Sequence, residues 1–336
     1  MSFPRNRYMS SGSIPQIDND RRGGIPGNDN YTKLLLHGDG LIYDSPINSS
    51  KFPHAILSGG TASGVLGAYV DTTQSVFGGA SINMVGNTSR FLQIADHVDW
   101  YFSGDFTIDT KVRFATLHTA NIANMICSQY YDANNYWMYK INFKSKVPLT
   151  VTLNAGGSGY SVNDTLTITQ AGGSLGHLNV DTIGGGGAVA TISVKDAAGT
   201  GYTVANGLAT TVSPAGGTLC TVNITAVTNY YIIFYAVSGG VAGPSIHFPI
   251  NPVIDTWYHY AVVRYGNIFS HYVDGVLQGM NQTSALAIPN IASDLIVGQM
   301  NYTSGASLDG YLDEFRISNG VARWTAAFTP PAMEYT

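Results

Sequence analysis

The sequence predicts an all-β protein built as an antiparallel β-sandwich, and three observations support this prediction. Residues 106–114 alternate between a mainly apolar and a polar set of side chains, which is typical of a strand with one buried face. Residues 269–277 contain Asp-Gly between two apolar runs, and Asp-Gly supplies the positive φ angles of a type I′ hairpin turn. No segment shows sustained helical periodicity. Two packed sheets that bury the alternating apolar side chains explain all three observations.

The first 31 residues, 1–31, are predicted to form an extended N-terminal docking arm. They contain prolines, a pair of arginines and a pair of glycines but no apolar periodicity, so they should not fold alone. A disordered tail is the simpler interpretation of this composition. Segments that become ordered on binding can wrap large surfaces, and we therefore expect the arm to dock on neighbouring chains.

The middle of the chain, residues 147–227, predicts a small inserted Gly-rich β module. Aromatic residues become rare there, glycine becomes dense, and a Gly-x-Gly-Tyr motif occurs at 157–160 and again at 199–202. Each motif lies near a run of Thr, Val and Ile residues. The segment is therefore interpreted as two related β units that pair with each other.

The strands that flank the insert predict how the rest of the chain is connected. Residues 136–143 and 230–237 are both rich in aromatic and apolar residues, as neighbouring strands of one sandwich would be. An insertion at a hairpin tip costs little, because loop-closure entropy rises slowly with loop length. Residues 32–146 and 228–336 are therefore predicted to form one discontinuous sandwich.

Composition excludes several kinds of partner. Charged residues make up 11% of the chain and the formal net charge is -5, so no broad basic surface can neutralise nucleic-acid phosphates. No apolar run is long enough to cross a bilayer, and the N-terminus has no apolar signal-peptide core. We therefore expect no nucleic-acid partner, no membrane insertion, and synthesis and retention in a cytoplasm. Cys127 and Cys220 lack the spacing of zinc ligands or of a disulfide framework.

An acidic residue lies among large apolar residues near the C-terminus. With a period of two, Tyr311, Asp313 and Phe315 share one face of a strand. A buried ionised carboxylate needs hydrogen bonds, a counter-charge or a metal, so Asp313 marks a place where the fold supplies a polar partner. Backbone N–H groups, a lysine and a metal ion all remain open as that partner.

Four segments of the chain carry a recognisable pattern in a fixed order. The four segments are residues 33–45, 104–114, 256–264 and 310–331. The last segment begins with Gly-Tyr-Leu-Asp-Glu-Phe-Arg-Ile-Ser-Asn-Gly-Val-Ala-Arg-Trp-Thr and ends with Phe-Thr-Pro-Pro. Together they resemble the laminin-G-like, concanavalin A-like jelly rolls that are common in bacteriophage virion proteins. The resemblance implies a jelly-roll fold for the sandwich and a viral context. The insert resembles the Gly-Ser-Gly-Tyr repeat modules of phage structural proteins.

The resemblance also implies a calcium site where the first and last strands meet. Ca²⁺ binds carboxylates, carbonyls and waters, and the matching positions are Asp39, Asp44 and Asp313. Ca²⁺ is the one cofactor expected. The alternative is that Asp39 is a turn residue between two glycines and that Asp44 forms an Asx-turn before Ser45.

Carbohydrate binding would use exposed aromatic side chains beside amide and carboxylate groups. Trp324 is one candidate, and a second group lies near a predicted loop. The members of that group are Tyr130, Tyr131, Asp132, Asn134, Asn135 and Tyr136. The alternative for any aromatic residue of a sandwich is a place in the core.

The sequence gives little support to catalysis. Glycosidases need two carboxylates across the scissile bond, and glucanases of this fold place Glu, Asp and Glu at alternate positions of one strand. The chain has only two glutamates, Glu314 and Glu334, and no such strand. We therefore expect a non-enzymatic protein.

Together, these features predict a non-enzymatic bacteriophage virion structural protein that acts as a capsid decoration or as a tail or fibre component. Its arm would bind other virion proteins, the chain would form homo-oligomers in the assembly, and the jelly roll would adhere to host-surface glycans. The viral context comes from the resemblance alone. A cellular glycan-binding lectin is the second hypothesis, and a polysaccharide-degrading enzyme is the third.

Overall fold

The computed structural model describes residues 29–39, 42, 54–59, 67–86, 90–119, 123–214, 216–300 and 306–335, so Asp44 and all but the last three residues of the predicted arm lie outside the description. The regular structure in these ranges is β-strand apart from two 3₁₀ turns at Val98–Trp100 and Gly185–Gly187, which confirms the all-β prediction. None of the described residues form a helix with the length and apolar character needed to cross a membrane. In chain order the strands are β1 (Thr32–Leu36), β2 (Ile56–Gly59), β3 (Tyr69–Asp71), β4 (Ser81–Asn83), β5 (Phe91–Ile94), β6 (Phe106–Phe114), β7 (Asn124–Asp132), β8 (Asn135–Ser158), β9 (Thr165–Ile168), β10 (His177–Ile183), β11 (Val189–Val194), β12 (Ala205–Ser213), β13 (Thr218–Ser238), β14 (Val241–Ile250), β15 (Trp257–Tyr265), β16 (Ile268–Val273), β17 (Val276–Leu277), β18 (Gln282–Thr283), β19 (Leu295–Val297) and β20 (Gly310–Asn319).

The strands form two antiparallel sheets that face each other across one apolar core. The first sheet has nine strands in the order β17-β16-β15-β6-β20-β4-β3, with β1 also paired to β20 and β18 to β16. The second has eleven strands in the order β11-β10-β9-β12-β13-β8-β7-β19-β5-β2, with β14 also paired to β13. Phe106 of the first sheet contacts Phe234 of the second, with ring centroids 5.4 Å apart, and both are fully buried. The predicted jelly-roll sandwich is thereby confirmed.

Strands β8 and β13 run from the sandwich into the glycine-rich middle of the chain. They are 24 and 21 residues long and pair along most of their length, with four register shifts. One edge of β13 pairs with β14 in the sandwich and with β12 farther out. The outer halves of β8 and β13 and the strands β9 to β12 enclose a second apolar core. Residues 147–227 are called the distal lobe below.

Two buried tyrosines require glycine beside them in the distal lobe. Tyr160 and Tyr202, the last residues of the two Gly-x-Gly-Tyr motifs, are both buried. A Cβ on Gly217 would lie 2.2 Å from the Tyr160 ring, and a Cβ on Gly176 would lie 2.8 Å from the Tyr202 ring. The Tyr202 hydroxyl accepts a hydrogen bond from the Gly176 N–H at 3.0 Å and donates one to the Ile168 carbonyl at 2.9 Å. Only glycine leaves room for the rings at these positions.

The alternation predicted for the last strand is wrong in its middle. Leu312 and Phe315 both point into the core, although strict alternation places them on opposite faces. Strand β20 changes register against β6 between Asp313 and Arg316, and Glu314 has a positive φ of 52°. These are the features of a β-bulge, which adds one residue to one strand of a pair. Because of the bulge, Asp313 does not share a face with Phe315.

The C-terminal segment after β20 lies on the outer face of the nine-stranded sheet. Val262 of β15 faces the core, whereas its neighbours Ala261 and Val263 belong to a separate cluster with Trp324 and Phe328. The Trp324 and Phe328 rings are stacked, with centroids 4.0 Å apart. The segment therefore covers apolar side chains that the sandwich would otherwise expose.

A buried charge network lies beneath this segment. Asp109 and Arg316 form a two-pronged ion pair with N–O distances of 2.9 and 3.1 Å. The Tyr335 hydroxyl donates to Asp109 at 2.5 Å, and Nε2 of His259 lies 3.3 Å from the same carboxylate. Burial by itself would raise the pKa of Asp109, but the Arg316 charge and these hydrogen bonds hold that pKa well below its usual range. These four residues are called the Asp109 network.

Candidate functional site

Three tyrosines form a row on the outer face of the eleven-stranded sheet. Tyr130 of β7, Tyr136 of β8 and Tyr235 of β13 lie on adjacent strands. The Tyr130 and Tyr136 rings are stacked with centroids 5.5 Å apart, and the Tyr136 and Tyr235 centroids are 5.8 Å apart. Trp137, the neighbour of Tyr136, faces the core, so strand alternation places the three tyrosines on the outside. They are called the tyrosine row.

The tyrosine row presents hydroxyl groups beside apolar ring surface. All three side chains belong to partly exposed residues. Burial is the main cause that raises the pKa of Tyr136 to about 12, and the neighbouring Tyr235 is the second cause. The Tyr136 hydroxyl is therefore protonated at neutral pH and can both donate and accept hydrogen bonds. Such a surface suits a ligand that has apolar C–H faces and hydroxyl edges.

The predicted sugar-binding loop is the tip of the β7–β8 hairpin. Tyr131 is 65% exposed, and the pairing is irregular between Tyr130 and Asp132, so Tyr131 is the extra residue of a bulge. Asp132 accepts hydrogen bonds from the Asn134 N–H at 2.8 Å and from the Asn135 side-chain amide at 3.0 Å. Asp132 therefore builds the turn. The structure brings these predicted residues together beside the tyrosine row.

A second hairpin tip is fixed against this turn. The Gly239 N–H donates to the side-chain carbonyl of Asn135 at 3.0 Å, and the Gly240 N–H donates to the backbone carbonyl of Asn134 at 2.9 Å. Both glycines have a positive φ, which allows the tight turn between β13 and β14. These bonds fix the backbone of the exposed Asn134, two residues before Tyr136, in a polar rim formed by the two hairpin tips.

Sequence reasoning missed Tyr235, and it grouped Trp324 with the sugar-binding candidates. Tyr235 lies about a hundred residues after Tyr136 in the chain, and only the pairing of β8 with β13 brings the two rings together. Trp324 is partly buried against Phe328, and its ring is 5.5 Å from the His259 ring. It lies on the outer face of the opposite sheet. Trp324 and the tyrosine row therefore cannot contact one small ligand.

Asp313, the predicted calcium ligand of the last strand, is capped by backbone. It is 1% exposed, and its Oδ2 accepts hydrogen bonds from the N–H groups of Val76 and Phe77 at 2.8 and 3.1 Å. Burial raises the pKa of Asp313 to about 7 despite these two bonds. Backbone N–H groups were one of the partners that the sequence left open, and they satisfy this carboxylate.

Asp39 and Glu334 form a small acidic cluster around Gly78. A Cβ on Gly78 would lie 3.0 Å from Asp39 Oδ2 and 2.9 Å from Glu334 Oε1, so both carboxylates border the same glycine. Asp39 Oδ1 is buried and has no hydrogen-bond partner among the described residues. Nδ1 of His37 lies 2.5 Å from Glu314 Oε1. Burial lowers the pKa of His37, but the charges of Glu314, Asp39 and Glu334 outweigh burial and raise it.

Comparison with known proteins gives one family-model match and several similar solved structures. Residues 184–325 match the sequence model described as the concanavalin A-like lectin/glucanases superfamily. The chain has no significant match among curated proteins. Domain 4 of AbnA, a GH43 extracellular arabinanase from Geobacillus stearothermophilus solved with arabinotriose, is similar at 12% identity and a TM-score of 0.44. That similarity covers 87% of this chain and 93% of that domain.

Two binding domains of toxins are also similar in structure. The botulinum neurotoxin serotype G binding domain has 11% identity and a TM-score of 0.40, with 87% of this chain and 49% of that one covered. The binding domain of Paraclostridial Mosquitocidal Protein 1 has 12% identity and a TM-score of 0.41, with 89% and 50% covered. This chain thus spans about half the length of each toxin domain. With the sheet topology, the match over residues 184–325 identifies the sandwich as a concanavalin A-like jelly roll, the fold of the lectin and glucanase superfamily.

Proposed function

We propose that this protein is a non-enzymatic carbohydrate-binding jelly roll that serves as a bacteriophage virion structural protein. The observation that supports the binding function is the tyrosine row beside the polar rim of the two hairpin tips. The superfamily that matches residues 184–325 contains lectins as well as glucanases. The virion role, as capsid decoration or as tail or fibre component, is supported by the sequence resemblance of residues 310–331 and the three earlier segments.

The geometry of the row favours an oligosaccharide over a single sugar. Adjacent strands lie about 4.8 Å apart, so a row across three strands is about 10 Å long. Sugar rings would stack on Tyr136 and Tyr235 through their C–H faces. Their hydroxyls would exchange hydrogen bonds with the tyrosine hydroxyls and with the Asn134 amide. The row is fixed by strand pairing, so little conformational entropy is lost on binding.

An enzymatic role, the third hypothesis from the sequence, is also a candidate because the superfamily includes glucanases. A glycosidase needs a carboxylic acid with a raised pKa, and among the described residues Asp313 has this property, with a pKa of about 7. Asp313 is 1% exposed and bonded to backbone, so it cannot reach a substrate. It also lies on the opposite sheet from the tyrosine row. These observations favour binding over hydrolysis.

Calcium, if bound, would lie at the acidic cluster around Gly78. The Asp39 and Glu334 carboxylates offer the hard oxygen ligands that Ca²⁺ prefers, and Asp39 Oδ1 is buried without a partner among the described residues. Asp313 is less suited, because backbone N–H groups already occupy its Oδ2. The ion would tie the exit of β1 to the C-terminal segment.

The arm would connect the jelly roll to other virion proteins and to further copies of the chain. Its last residues are anchored, since Asp29 accepts hydrogen bonds from the Arg323 guanidinium at 2.8 and 3.2 Å. Asp29 is thus held beside the C-terminal segment, on the opposite sheet from the tyrosine row. Attachment of the chain through the arm would be compatible with a tyrosine row that binds glycans.

A glycan array tests the binding function. We expect the purified chain to bind at least one class of oligosaccharide, Tyr136→Ala to bind at least about tenfold more weakly, and Tyr69→Ala to bind as the parent does. Tyr69 is a matched control because it is a 38% exposed tyrosine on the opposite sheet. Absence of binding to every glycan, or equal binding by all three proteins, would refute the proposal. Immunogold labelling of purified virions tests the structural role, and unlabelled particles would contradict it.

A further inference from the structure

We infer that His54, His97 and Asp99 form a binding site for a divalent transition-metal ion such as Zn²⁺. Strands β2 and β5 are antiparallel neighbours in which Ile56 lies opposite Ile94. His54 precedes Ile56 by two residues and His97 follows Ile94 by three, so the pairing brings both histidines to one corner of the sheet. Their ring centroids are 4.8 Å apart.

The distances between the three side chains fit a metal site. Nε2 of His54 lies 3.1 Å from Oδ2 of Asp99, and Nδ1 of His97 lies 3.2 Å from the same oxygen. All three ligand atoms lie within 4.8 Å of one another. Tetrahedral zinc, with bonds of about 2.0 to 2.2 Å, places neighbouring ligand atoms about 3.4 Å apart. Two of the separations are already near this value, and a small rotation of the exposed His97 would adjust the third.

Contacts within the 3₁₀ turn place His97 beside Asp99. The Asp99 N–H donates to Nδ1 of His97 at 3.3 Å and so caps the turn. Oδ2 of Asp99 lies 3.2 Å from the same ring nitrogen. A metal ion bound by Nδ1 and Oδ2 would take the ring nitrogen from the Asp99 N–H and leave the imidazole and the carboxylate on the same side of the turn.

The surrounding fold holds the ligands in place. Asp99 is 6% exposed, and its backbone carbonyl accepts a hydrogen bond from the Asn319 side-chain amide at 3.1 Å. The fully buried Trp100 packs against His54, with ring centroids 4.7 Å apart. The His97 side chain is 37% exposed, so one side of the site is open. Three protein ligands with an open position are typical of metal sites that bind a further water or small ligand.

The ligand set of this site differs from that of the acidic cluster around Gly78. Two imidazoles and one carboxylate suit zinc, nickel, copper or iron, whereas Ca²⁺ prefers oxygen ligands alone. Zinc binding at His54, His97 and Asp99 should therefore persist in excess Ca²⁺. The inference is independent of the proposed carbohydrate-binding function.

Isothermal titration of the chelator-treated full chain with ZnCl2, in excess CaCl2, tests the site. His97→Asn removes an imidazole but keeps a good capping residue, so the turn should still form. His177→Asn is the matched control, because His177 pairs with Asp196 through Nδ1 at 3.0 Å but lies outside the cluster. We expect one Zn²⁺ per chain for the parent and for His177→Asn, and an affinity at least about tenfold lower for His97→Asn.

Two further measurements complete the test. Asp99→Asn should weaken Zn²⁺ binding as His97→Asn does, and Co²⁺ should give the visible absorption of a low-coordinate complex in the parent only. Melting curves in EDTA establish that each variant is folded. Absence of Zn²⁺ binding by the parent, or undiminished binding by folded His97→Asn, would overturn the inference.

Discussion

Removing Arg316 from the Asp109 network should strongly destabilise the protein. Arg316→Met would leave the Asp109 carboxylate fully buried, and among the described residues its hydrogen-bonding neighbours would then be Tyr335 and His259. It would also remove a guanidinium that lies 3.7 Å from the Tyr335 ring centroid and 5.6 Å from that of Trp324. Breaking a buried ion pair by removing one partner leaves an uncompensated charge.

The size of the effect follows from the bonds that are lost. Arg316 makes two charged hydrogen bonds to Asp109, at 2.9 and 3.1 Å. Charged hydrogen bonds contribute about 1.5 to 3 kcal/mol each. This range agrees with the loss of about 3 to 5 kcal/mol that is typical when one partner of a buried pair is removed. We therefore expect Arg316→Met to lower the free energy of unfolding by about 4 kcal/mol.

Urea denaturation at neutral pH, followed by tryptophan fluorescence, measures this loss. The double variant Asp109→Asn/Arg316→Met should lose less stability than the sum of the two single variants, by about 2 kcal/mol. Each single variant leaves one buried charge without its partner, whereas the double variant removes both charges. Arg113→Met is the control, since Arg113 pairs with the 61% exposed Asp255 at 2.9 Å and should cost less than about 1 kcal/mol. Equal losses in the free energy of unfolding for Arg316→Met and Arg113→Met would contradict a strong buried ion pair between Asp109 and Arg316. Strict additivity of the two single losses in the double variant would contradict it as well.

Three further predictions concern other parts of the molecule. Gly217→Ala should destabilise the distal lobe by about 1 to 3 kcal/mol in urea, because its Cβ would lie 2.2 Å from the Tyr160 ring, whereas Gly104→Ala, with open space around it, should not. Folding raises the pKa of Asp313 from 3.8 to about 7, so the folded state binds the extra proton and stability should fall as pH rises through this interval. Asp313→Asn should flatten that fall, and an unchanged pH profile would contradict the assignment. CaCl2 should raise the melting midpoint of the parent but not of Asp39→Asn, and a midpoint that chelator leaves unchanged would exclude a structural calcium ion.

Local sequence patterns were sufficient for the architecture. The alternation at residues 106–114 coincides with β6, and the hairpin predicted at 269–277 coincides with β16 and β17. Alternation and turn residues act within a few positions of the chain, so they can be read from sequence. The bulge at Glu314 could not be predicted from the sequence, because a change of register does not alter the local pattern of residue types.

Contacts between distant segments limited the prediction of the site. Tyr235 joins Tyr136 only through the long pairing of β8 with β13, and His54 joins His97 only through the register of β2 with β5. Neither pairing follows from local sequence. The residues of 310–331 that carry the family resemblance serve the fold instead, since Asp313 is capped by backbone and Arg316 holds Asp109.

A crystal structure of the chain soaked with its best-binding oligosaccharide would show directly whether the tyrosine row is the glycan site. We expect sugar rings stacked on Tyr136 and Tyr235, with hydroxyls bonded to the Asn134 amide. A sugar bound only on the Trp324 side of the molecule would contradict this expectation. So would the absence of any sugar on the tyrosine row in crystals soaked at a saturating concentration of the oligosaccharide.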